Sequence, residues 1–467
     1  MLFNSMAFVV FLPATLLIYL ALPRKLQNVF LIAASYLFYG YWDPRFLILI
    51  ALSTLVDFGV GVALSRTADE KKRLRLLVVS VVVNLGILGF FKYYNFFAQS
   101  LADLAHSVGL PLSTSTLNVI LPVGISFYTF QTLSYTIDVY RGEVEPTSDL
   151  VSFAAFVAFF PQLVAGPIER ARDLLPQFQT QRSLALPELQ DAGRLMLWGF
   201  FKKLVIADNL DRVVAAGYAP GAPGDLALLA TYAFAFQIYC DFSGYTDIAR
   251  GVAKLFGFRL QKNFDRPYVS TSLPEFWKRW HISLSTWFRE YLYIPLGGNR
   301  CSKPRQLFNV MVTFVVSGFW HGAHLRFIVW GGIHGLGYVP SVLSRGKERR
   351  QVSWWWRIPG WVLTFHFVLI AWVFFRASSV GAAFEILGNI GQWLLHGHGW
   401  PDKDLLYRVG FLCGFVMLAE LLQRNRLHPL DTSRLWAPAR LLVSVAIFVL
   451  LAMFANFDNV PFIYFQF

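Results

Sequence analysis

Charged residues are scarce in this 467-residue chain: Asp, Glu, Lys and Arg make up 15% of it, against about 25% in typical soluble domains. Hydrophobic residues make up 56% and aromatic residues 17%, which is more apolar surface than an aqueous core can bury. The composition therefore argues against a soluble globular protein and predicts a chain that folds in a lipid bilayer.

Cysteine is scarcer still. The three cysteines, Cys240, Cys301 and Cys413, are widely spaced and include no CxxC pair, which argues against a disulfide framework and a thiolate metal site. Acidic residues number 28 against 41 Lys and Arg, for a net charge of +13. The basic residues lie mainly in short stretches between apolar runs, as cytoplasmic loops do, so we expect no nucleic-acid partner.

Apolar runs of helical length recur along the whole chain. A hydrocarbon core about 30 Å thick requires about 20 mostly apolar residues per helix. We therefore expect an all-α polytopic membrane protein with about 11–13 membrane segments, of which the short or Gly- and Pro-broken ones are re-entrant. The runs lie at residues 7–22, 27–42, 46–65, 75–97, 119–140, 150–166, 193–217, 226–248, 306–320, 326–343, 359–376, 407–423 and 438–457.

One transmembrane domain is expected over residues 1–467, with N-terminal helices up to residue 249 and C-terminal helices over 344–467. Between them lie a basic and aromatic segment, 250–305, and a histidine-containing segment, 306–343. The first apolar run has no basic n-region and no cleavage site, so we expect it to be retained. Basic loops alternate with loops nearly devoid of Lys and Arg, which predicts an N-terminus outside the cytoplasm.

The basic and aromatic segment has eleven Lys or Arg residues against three acids. Apolar residues recur at spacings of three and four from Leu273 to Tyr291, which predicts one amphipathic helix. Ser272 and Glu275 have the spacing of a capping box at its start. Such a helix lies either in the membrane interface or against the protein's own bundle, and both positions remain open.

Two histidines lie inside apolar segments, where an imidazole needs a partner or a wet cavity. They are His321 in SGFWHGAHLRF and His334 in IVWGGIHGLGYV. A neutral imidazole can take the proton of a hydroxyl, and backbone N–H groups exposed at the nearby glycines can stabilise an oxyanion, as acyl transfer from a thioester requires. The alternative is an imidazole bonded to a neighbouring helix carbonyl.

The spacing of the two histidines sets a condition on the fold. Thirteen residues of continuous helix would separate them by about 20 Å, since each residue rises about 1.5 Å. Both can serve one site only if the chain bends between them.

Two acids, Asp241 and Asp247, lie in the apolar phrase YCDFSGYTDIAR. Hydroxyl groups of the same phrase can hydrogen-bond to them, and Arg250 can pair with them. Both a catalytic role and a polar network that orders helices remain open.

Long phrases of the chain resemble the membrane-bound O-acyltransferases, in the branch that acetylates alginate. The most characteristic are DFSGYTDIARGVAKLFGFRLQKNFDRPYVSTSLPEFWKRWHISLSTWFREYLYIPLGGNR and FWHGAHLRFIVWGGIHG. The N-terminal MLFNS and the phrases LPVGISFYTFQTLSYTIDVYRG and FFPQLVAGPIER resemble the same branch, so the likeness covers essentially the whole chain.

The resemblance implies a ring-like helical bundle in the bacterial inner membrane. There an acetyl group from a cytoplasmic thioester, acetyl-CoA or a similar co-substrate, would meet an acceptor from the far side. The acceptor would be an exopolysaccharide such as alginate, reached directly or through a periplasmic acetyltransferase partner. Membrane lipid surrounds such a protein, and the resemblance implies no bound cofactor and no metal.

The resemblance also implies site residues. The family's histidine pair carries over to His321 and His334 as catalytic residues. Its central motif carries over to residues that bind the donor or the acceptor, namely Trp277, Lys278, Arg279, Trp280, His281, Arg289 and Tyr291. Asp241 and Asp247 are further candidates for binding.

Three other functions remain open. One is D-alanyl transfer to teichoic acid, which a related enzyme of the same family performs. Another is transport of a polysaccharide or lipid, although the internal repeats common in transporters are not visible here. The third is a metalloenzyme, suggested by the HxxH spacing of His321 and His324, although the cation of Arg326 nearby would oppose metal binding.

Overall fold

Every regular element in the described part of the chain is helical, which confirms the all-α class. The chain divides into two compact units, Met1–Ala192 with Ala249–Gln261, and Gly193–Ile248 with Lys262–Phe467. The structure is a computed structural model that describes residues 1–110, 117, 120–164, 166–182, 184–344, 354–397, 399, 402–426, 428–458 and 460–463.

The helices of the first unit follow one another along the N-terminal part of the chain. They are α1 Met6–Ala21, α2 Arg24–Gly40, α3 Leu47–Ser65, α4 Glu70–Leu88, α5 Tyr94–Ser107, α6 Ile125–Arg141, α7 Leu150–Ala158, α8 Phe160–Leu163 and α9 Ala171–Gln179.

Two helices, α10 Leu186–Phe200 and α12 Gly224–Leu255, each contribute residues to both units, and α11 Asp208–Gly217 lies between them in sequence. The remaining helices belong to the second unit. They are α13 Leu273–Arg279, α14 Ile282–Phe288, α15 Lys303–His321, α16 Leu325–Gly337, α17 Val339–Leu343, α18 Trp354–Arg376, α19 Val380–His396, α20 Lys403–Leu422 and α21 Ala437–Phe454. Short π-helical segments occupy Gly89–Tyr93, Phe201–Ala207 and Arg289–Tyr293, and 3-10 turns occupy Pro44–Phe46 and Pro267–Val269.

Among the described residues, 6 helical runs are long and apolar enough to cross a membrane. They are Pro44–Ser65, Glu70–Ser107, Gly224–Leu255, Arg357–Arg376, Lys403–Leu422 and Ala437–Phe454. Met6–Ala21 and Leu150–Leu163 are shorter apolar helices. The protein is therefore a multi-pass membrane protein, and each of the other predicted spans overlaps a shorter, more polar or interrupted helix. The orientation stays a prediction.

Polar side chains join α3, α4 and α6 inside the first unit. The carboxylate of Asp57 is fully buried; it accepts hydrogen bonds from Ser80 Oγ at 2.5 Å and from Asn84 Nδ2 at 2.9 Å. Ser53 Oγ donates to Asn84 Oδ1 at 2.7 Å and lies 3.2 Å from Thr132 Oγ1. Such a network of hydrogen bonds fixes the register of these three helices.

The single amphipathic helix predicted between Leu273 and Tyr291 is wrong in its interior. Its start is confirmed, because Ser272 Oγ accepts from the backbone N–H of Glu275. The chain then leaves helical geometry at Trp280 and adopts a left-handed conformation at His281, with φ 41°. Beyond this break α14 begins, and it continues into the third π-helical segment.

Asn263 provides the physical reason for this break. Its backbone carbonyl accepts the N–H of Ile282 at 2.9 Å, and its side-chain oxygen accepts the N–H of Ser283 at 3.2 Å. Tertiary hydrogen bonds thus replace the helical ones that the periodicity predicted. Phe276 and Trp280 are buried, so the aromatic face packs on the protein rather than on lipid.

A further helix lies where a loop between spans was expected. Residues 377–404 contain few Lys and Arg and no predicted span, but α19 occupies Val380–His396. Ser379 caps this helix, because its Oγ accepts the backbone N–H of Ala382 at 3.1 Å. Glu385, Asn389 and Gln392 interrupt the apolar residues of this helix, so the sequence shows no continuous apolar run there.

Candidate functional site

The two histidines singled out in the sequence lie on the two arms of a helical hairpin. α15 ends at His321, the backbone is extended at Gly322 and His324, and α16 begins at Leu325 and carries His334. The bend that a shared site requires is therefore present, and it immediately follows His321.

Glycines allow the two arms to touch through their backbones. A Cβ atom added at Gly318 would lie 2.1 Å from the carbonyl oxygen of Phe327, and one added at Gly331 would lie 2.2 Å from that of Phe314. Both distances are far below any contact that a side chain can make, so only glycine fits at these positions. The neighbouring Gly332 faces open space.

The backbone donors expected at a helix break beside His334 are not present. α16 runs without interruption from Leu325 to Gly337, so its interior N–H groups serve the helix itself. The carbonyl of His334 accepts the N–H of Tyr338 at 3.1 Å. The backbone of α16 itself therefore offers no free donor for an oxyanion beside this imidazole.

His334 is fully buried in a cage of aromatic rings. The ring centroids of Trp277 and Trp330 each lie 4.9 Å from that of the imidazole, with edge-on geometry. Three phenylalanine rings complete the cage at 5.9–6.4 Å: Phe276, Phe314 and Phe367. Neither imidazole nitrogen has a hydrogen-bond partner among the described residues. Within the described residues, ring packing rather than hydrogen bonding therefore holds this imidazole.

His321 lies against the same tryptophan. Its ring centroid is 5.2 Å from that of Trp330, 5.0 Å from Trp320 and 5.3 Å from Phe375. The Trp330 indole therefore contacts both histidines, one on each arm of the hairpin. The structure brings together the two residues that the sequence singled out, with one aromatic side chain between them.

The central motif divides into residues near this centre and residues away from it. Trp277 contacts His334, whereas Trp280 packs inside an aromatic cluster against Tyr268 and Trp372. Lys278 is exposed, and Arg279 pairs with Glu275 at 2.8 Å.

The Glu275 carboxylate lies outside the membrane-spanning segments. Burial alone would raise its pKa, but hydrogen bonds from Thr271 and the charge of Arg279 outweigh burial and hold the pKa below its ordinary value. Glu275 is therefore ionised at neutral pH and ties the start of α13 to its own last turn.

The remaining motif residues differ in their distance from the hairpin. His281 is fully buried, and its Nδ1 lies 3.2 Å from Asn263 Oδ1. Its ring lies 6.2 Å from Trp320, which in turn contacts His321. Tyr291 packs on Trp287 at 5.0 Å, and Arg289 pairs with its neighbour Glu290 at 3.2 Å.

The two candidate acids are held by lysines that the sequence analysis did not single out. Lys203 Nζ lies 2.8 Å from Asp241 Oδ1 and 2.8 Å from Asp208 Oδ1. Lys202 Nζ lies 2.7 Å from Asp247 Oδ2. Both lysines lie inside an apolar run, where a cation is unusual, and that position was the signal that could have identified them. These pairs favour the interpretation of Asp241 and Asp247 as a helix-ordering network.

The described residues contain no group of three His, Cys, Asp or Glu side chains placed to hold a metal ion. Aromatic rings, rather than further metal-binding side chains, contact the two histidines. This arrangement suits imidazole chemistry on an organic substrate better than ligation of a cation.

Comparison with known proteins decides the family. A sequence model of the family described as MBOAT, membrane-bound O-acyltransferase family, matches residues 142–383, which include both histidines and the whole central motif. This chain is a membrane-bound O-acyltransferase. The hairpin and its two histidines thus lie in the family region of an acyl-transferring enzyme, and the transporter and metalloenzyme alternatives lose their support.

Similar proteins include three differently named enzymes. A protein of Pseudomonas aeruginosa described as a probable alginate O-acetylase, AlgI, is 40% identical over 90% of this chain and 80% of its own length. A peptidoglycan O-acetyltransferase of Helicobacter pylori is 34% identical over 84% of this chain and 80% of its own. A teichoic acid D-alanyltransferase of Streptococcus thermophilus is 29% identical over 57% of this chain and 70% of its own.

Proposed function

We propose that this acyltransferase moves an acetyl group from a cytoplasmic thioester, acetyl-CoA or a similar donor, to a hydroxyl group for O-acetylation of an exopolysaccharide such as alginate. We place the protein in the bacterial inner membrane. The probable alginate O-acetylases support this assignment, because they are about 40% identical to almost the whole chain. A periplasmic acetyltransferase is the proposed intermediary where the polysaccharide does not reach the membrane centre itself.

The observation that carries the proposal is the state of His334. A buried polar ring normally finds a hydrogen-bond partner, because leaving it without one costs stability. Both nitrogens of His334 lack one among the described residues, while aromatic rings hold the imidazole in place. An oriented imidazole of this kind is suited to act as a general base on an entering hydroxyl.

His321 is assigned the second catalytic role. Trp330 contacts both His321 and His334, so His321 can assist binding of the thioester on the far side of this indole. The exposed Lys278 and the basic residues of the 250–305 segment are the proposed contacts for the anionic donor on the cytoplasmic side.

Turnover of labelled acetyl-CoA by the purified protein in nanodiscs tests the proposal. Wild type is compared with His321→Ala and His334→Ala. His366→Ala is a matched control, since His366 also lies in a membrane helix but on its exposed face, 2.8 Å from Tyr232 Oη. We expect His334→Ala to lose about 100-fold or more of kcat, as loss of a general base does, while the control keeps its rate.

The acceptor is identified in the same assay. Labelled acetyl groups should appear on alginate oligosaccharides, either directly or only when a periplasmic acetyltransferase is added. Label on peptidoglycan fragments alone would replace the proposed acceptor, and use of a D-alanyl donor alone would replace the proposed donor. Full turnover by both histidine variants would contradict the placement of the chemistry in this hairpin.

A further inference from the structure

Two indole N–H groups beside His334 lack a hydrogen-bond partner. They belong to Trp277 and Trp330, and each N–H is buried and without a partner among the described residues. The two indole rings also contact each other, with centroids 5.8 Å apart. The imidazole and the two indoles therefore form a cluster of three rings in mutual contact, none of whose nitrogen atoms is engaged by the protein part that the structure describes.

The donors near this imidazole are few. The other rings of its cage are phenylalanines, which have no N–H or O–H group. The backbone of α16 is committed to its own helix through this region. Among the described contacts of His334, the indole nitrogens are consequently the groups that can donate a hydrogen bond to a substrate oxygen.

We propose that the indole N–H groups of Trp277 and Trp330 form the oxyanion hole of the acyl transfer proposed above, on which this assignment rests. Attack of a hydroxyl on a thioester places negative charge on the former carbonyl oxygen, and fixed donors aimed at that oxygen lower the barrier. Trp330 reaches this position from one turn before His334 on the same helix, and Trp277 reaches it from α13.

In the proposed reaction each bond that forms is matched by one that breaks. His334 takes the proton of the acceptor hydroxyl, and the hydroxyl oxygen forms a bond to the carbonyl carbon. The electron pair of the C=O bond moves to oxygen, where the two indole N–H groups bind it. The carbonyl re-forms as the carbon–sulfur bond breaks, and the leaving thiolate takes the proton from the imidazolium. The products are an acetyl ester and a free thiol.

The packing around both indoles keeps them oriented. Trp330 stacks on Trp372, with ring centroids 5.9 Å apart, and also contacts His321. Trp277 packs on Phe314, with ring centroids 5.3 Å apart. Donors held in this way need no reorganisation when charge develops, which is the condition under which such hydrogen bonds contribute most.

The test removes the N–H groups while keeping an aromatic ring. The variants are Trp277→Phe, Trp330→Phe and, at each position, a benzothienylalanine in which sulfur replaces the indole N–H. Trp198→Phe is the matched control, because Trp198 is also buried with an indole N–H that lacks a partner, but it stacks on Phe201 at 5.5 Å and does not touch His334. Steady-state kinetics with acetyl-CoA give kcat and KM separately.

We expect each replacement at positions 277 and 330 to lower kcat by about 10- to 100-fold, as loss of one oxyanion donor does, with KM for acetyl-CoA changed less than about threefold. The benzothienyl proteins keep the shape of tryptophan, so they decide the question even where a phenylalanine variant folds poorly. Trp198→Phe should keep the wild-type kcat.

Two results would overturn the assignment. One is a wild-type kcat in both benzothienyl proteins while His334→Ala is inactive, which leaves the proposed function intact and removes only the oxyanion role. The other is an equal loss of kcat in Trp198→Phe, which reduces the effect to general packing. Full activity of His334→Ala would instead contradict the general-base role of His334, and only a wild type that consumes no acetyl-CoA would contradict the proposed function.

Discussion

Replacing Gly331 with alanine should damage both the fold and the reaction, because the two arms of the hairpin touch at this point. The added Cβ would lie 2.2 Å from the Phe314 carbonyl oxygen, so the backbones must separate by about 1.2 Å to reach the 3.4 Å of an ordinary contact. Overpacking of this kind costs about 1–3 kcal/mol. A displacement of about 1 Å between catalytic groups can cost about 100-fold in rate.

Gly332 offers a control one residue away. An added Cβ there meets nothing within 4 Å, so Gly332→Ala should be neutral or stabilising by about 0.5–1 kcal/mol, the ordinary gain of alanine over glycine inside a helix. Thermal unfolding in detergent and turnover of labelled acetyl-CoA measure the two effects on matched preparations. Equal stability and equal turnover for Gly331→Ala and Gly332→Ala would refute the reasoning from backbone contact.

Two other perturbations test the surroundings of the site. Lys203→Met leaves two buried carboxylates without their cation and should lower the free energy of unfolding by about 3–5 kcal/mol. The control Arg212→Ala breaks an exposed ion pair and should lower it by less than about 1 kcal/mol. Similar losses of stability for both variants in denaturation experiments would count against the buried network. The pKa of Glu275 is lowered in the folded state, so its ion pair with Arg279 contributes stability above about pH 4.5 that is lost as the pH falls through the folded pKa. The stability difference between wild type and Glu275→Gln should therefore shrink below that pH in unfolding experiments, and a constant difference would contradict the assignment.

The sequence predicted the helical class and the position of most helices because lipid imposes long apolar runs that are visible residue by residue. It also predicted the intramembrane histidines, since an imidazole in such a run is unusual. The bend after His321 could be stated from the sequence only as a condition for a site that both histidines share. Its occurrence depends on backbone contacts between α15 and α16, which periodicity does not encode.

Other features depended on tertiary partners that spacing alone does not reveal. The pattern from Leu273 to Tyr291 fits one helix, but Asn263 is distant in sequence and supplies the hydrogen bonds that end α13. Likewise the sequence suggested Arg250 as a partner of Asp241, and the fold also brings Lys203 into an ion pair with it. Local propensity fails at these points because a competing long-range contact is stronger.

The glycine contacts of the hairpin make the spacing of its two helices independent of the side chains around the site. Since peptide groups of α15 and α16 set the spacing of the two helices, a change in the surrounding side chains leaves the backbones that carry His321 and His334 in place. A redesign aimed at a bulkier acyl group can therefore enlarge the aromatic cage at Phe367, whereas Phe314, which packs on Trp277, is kept. The hairpin acts as a fixed frame, and its lining is the adjustable part.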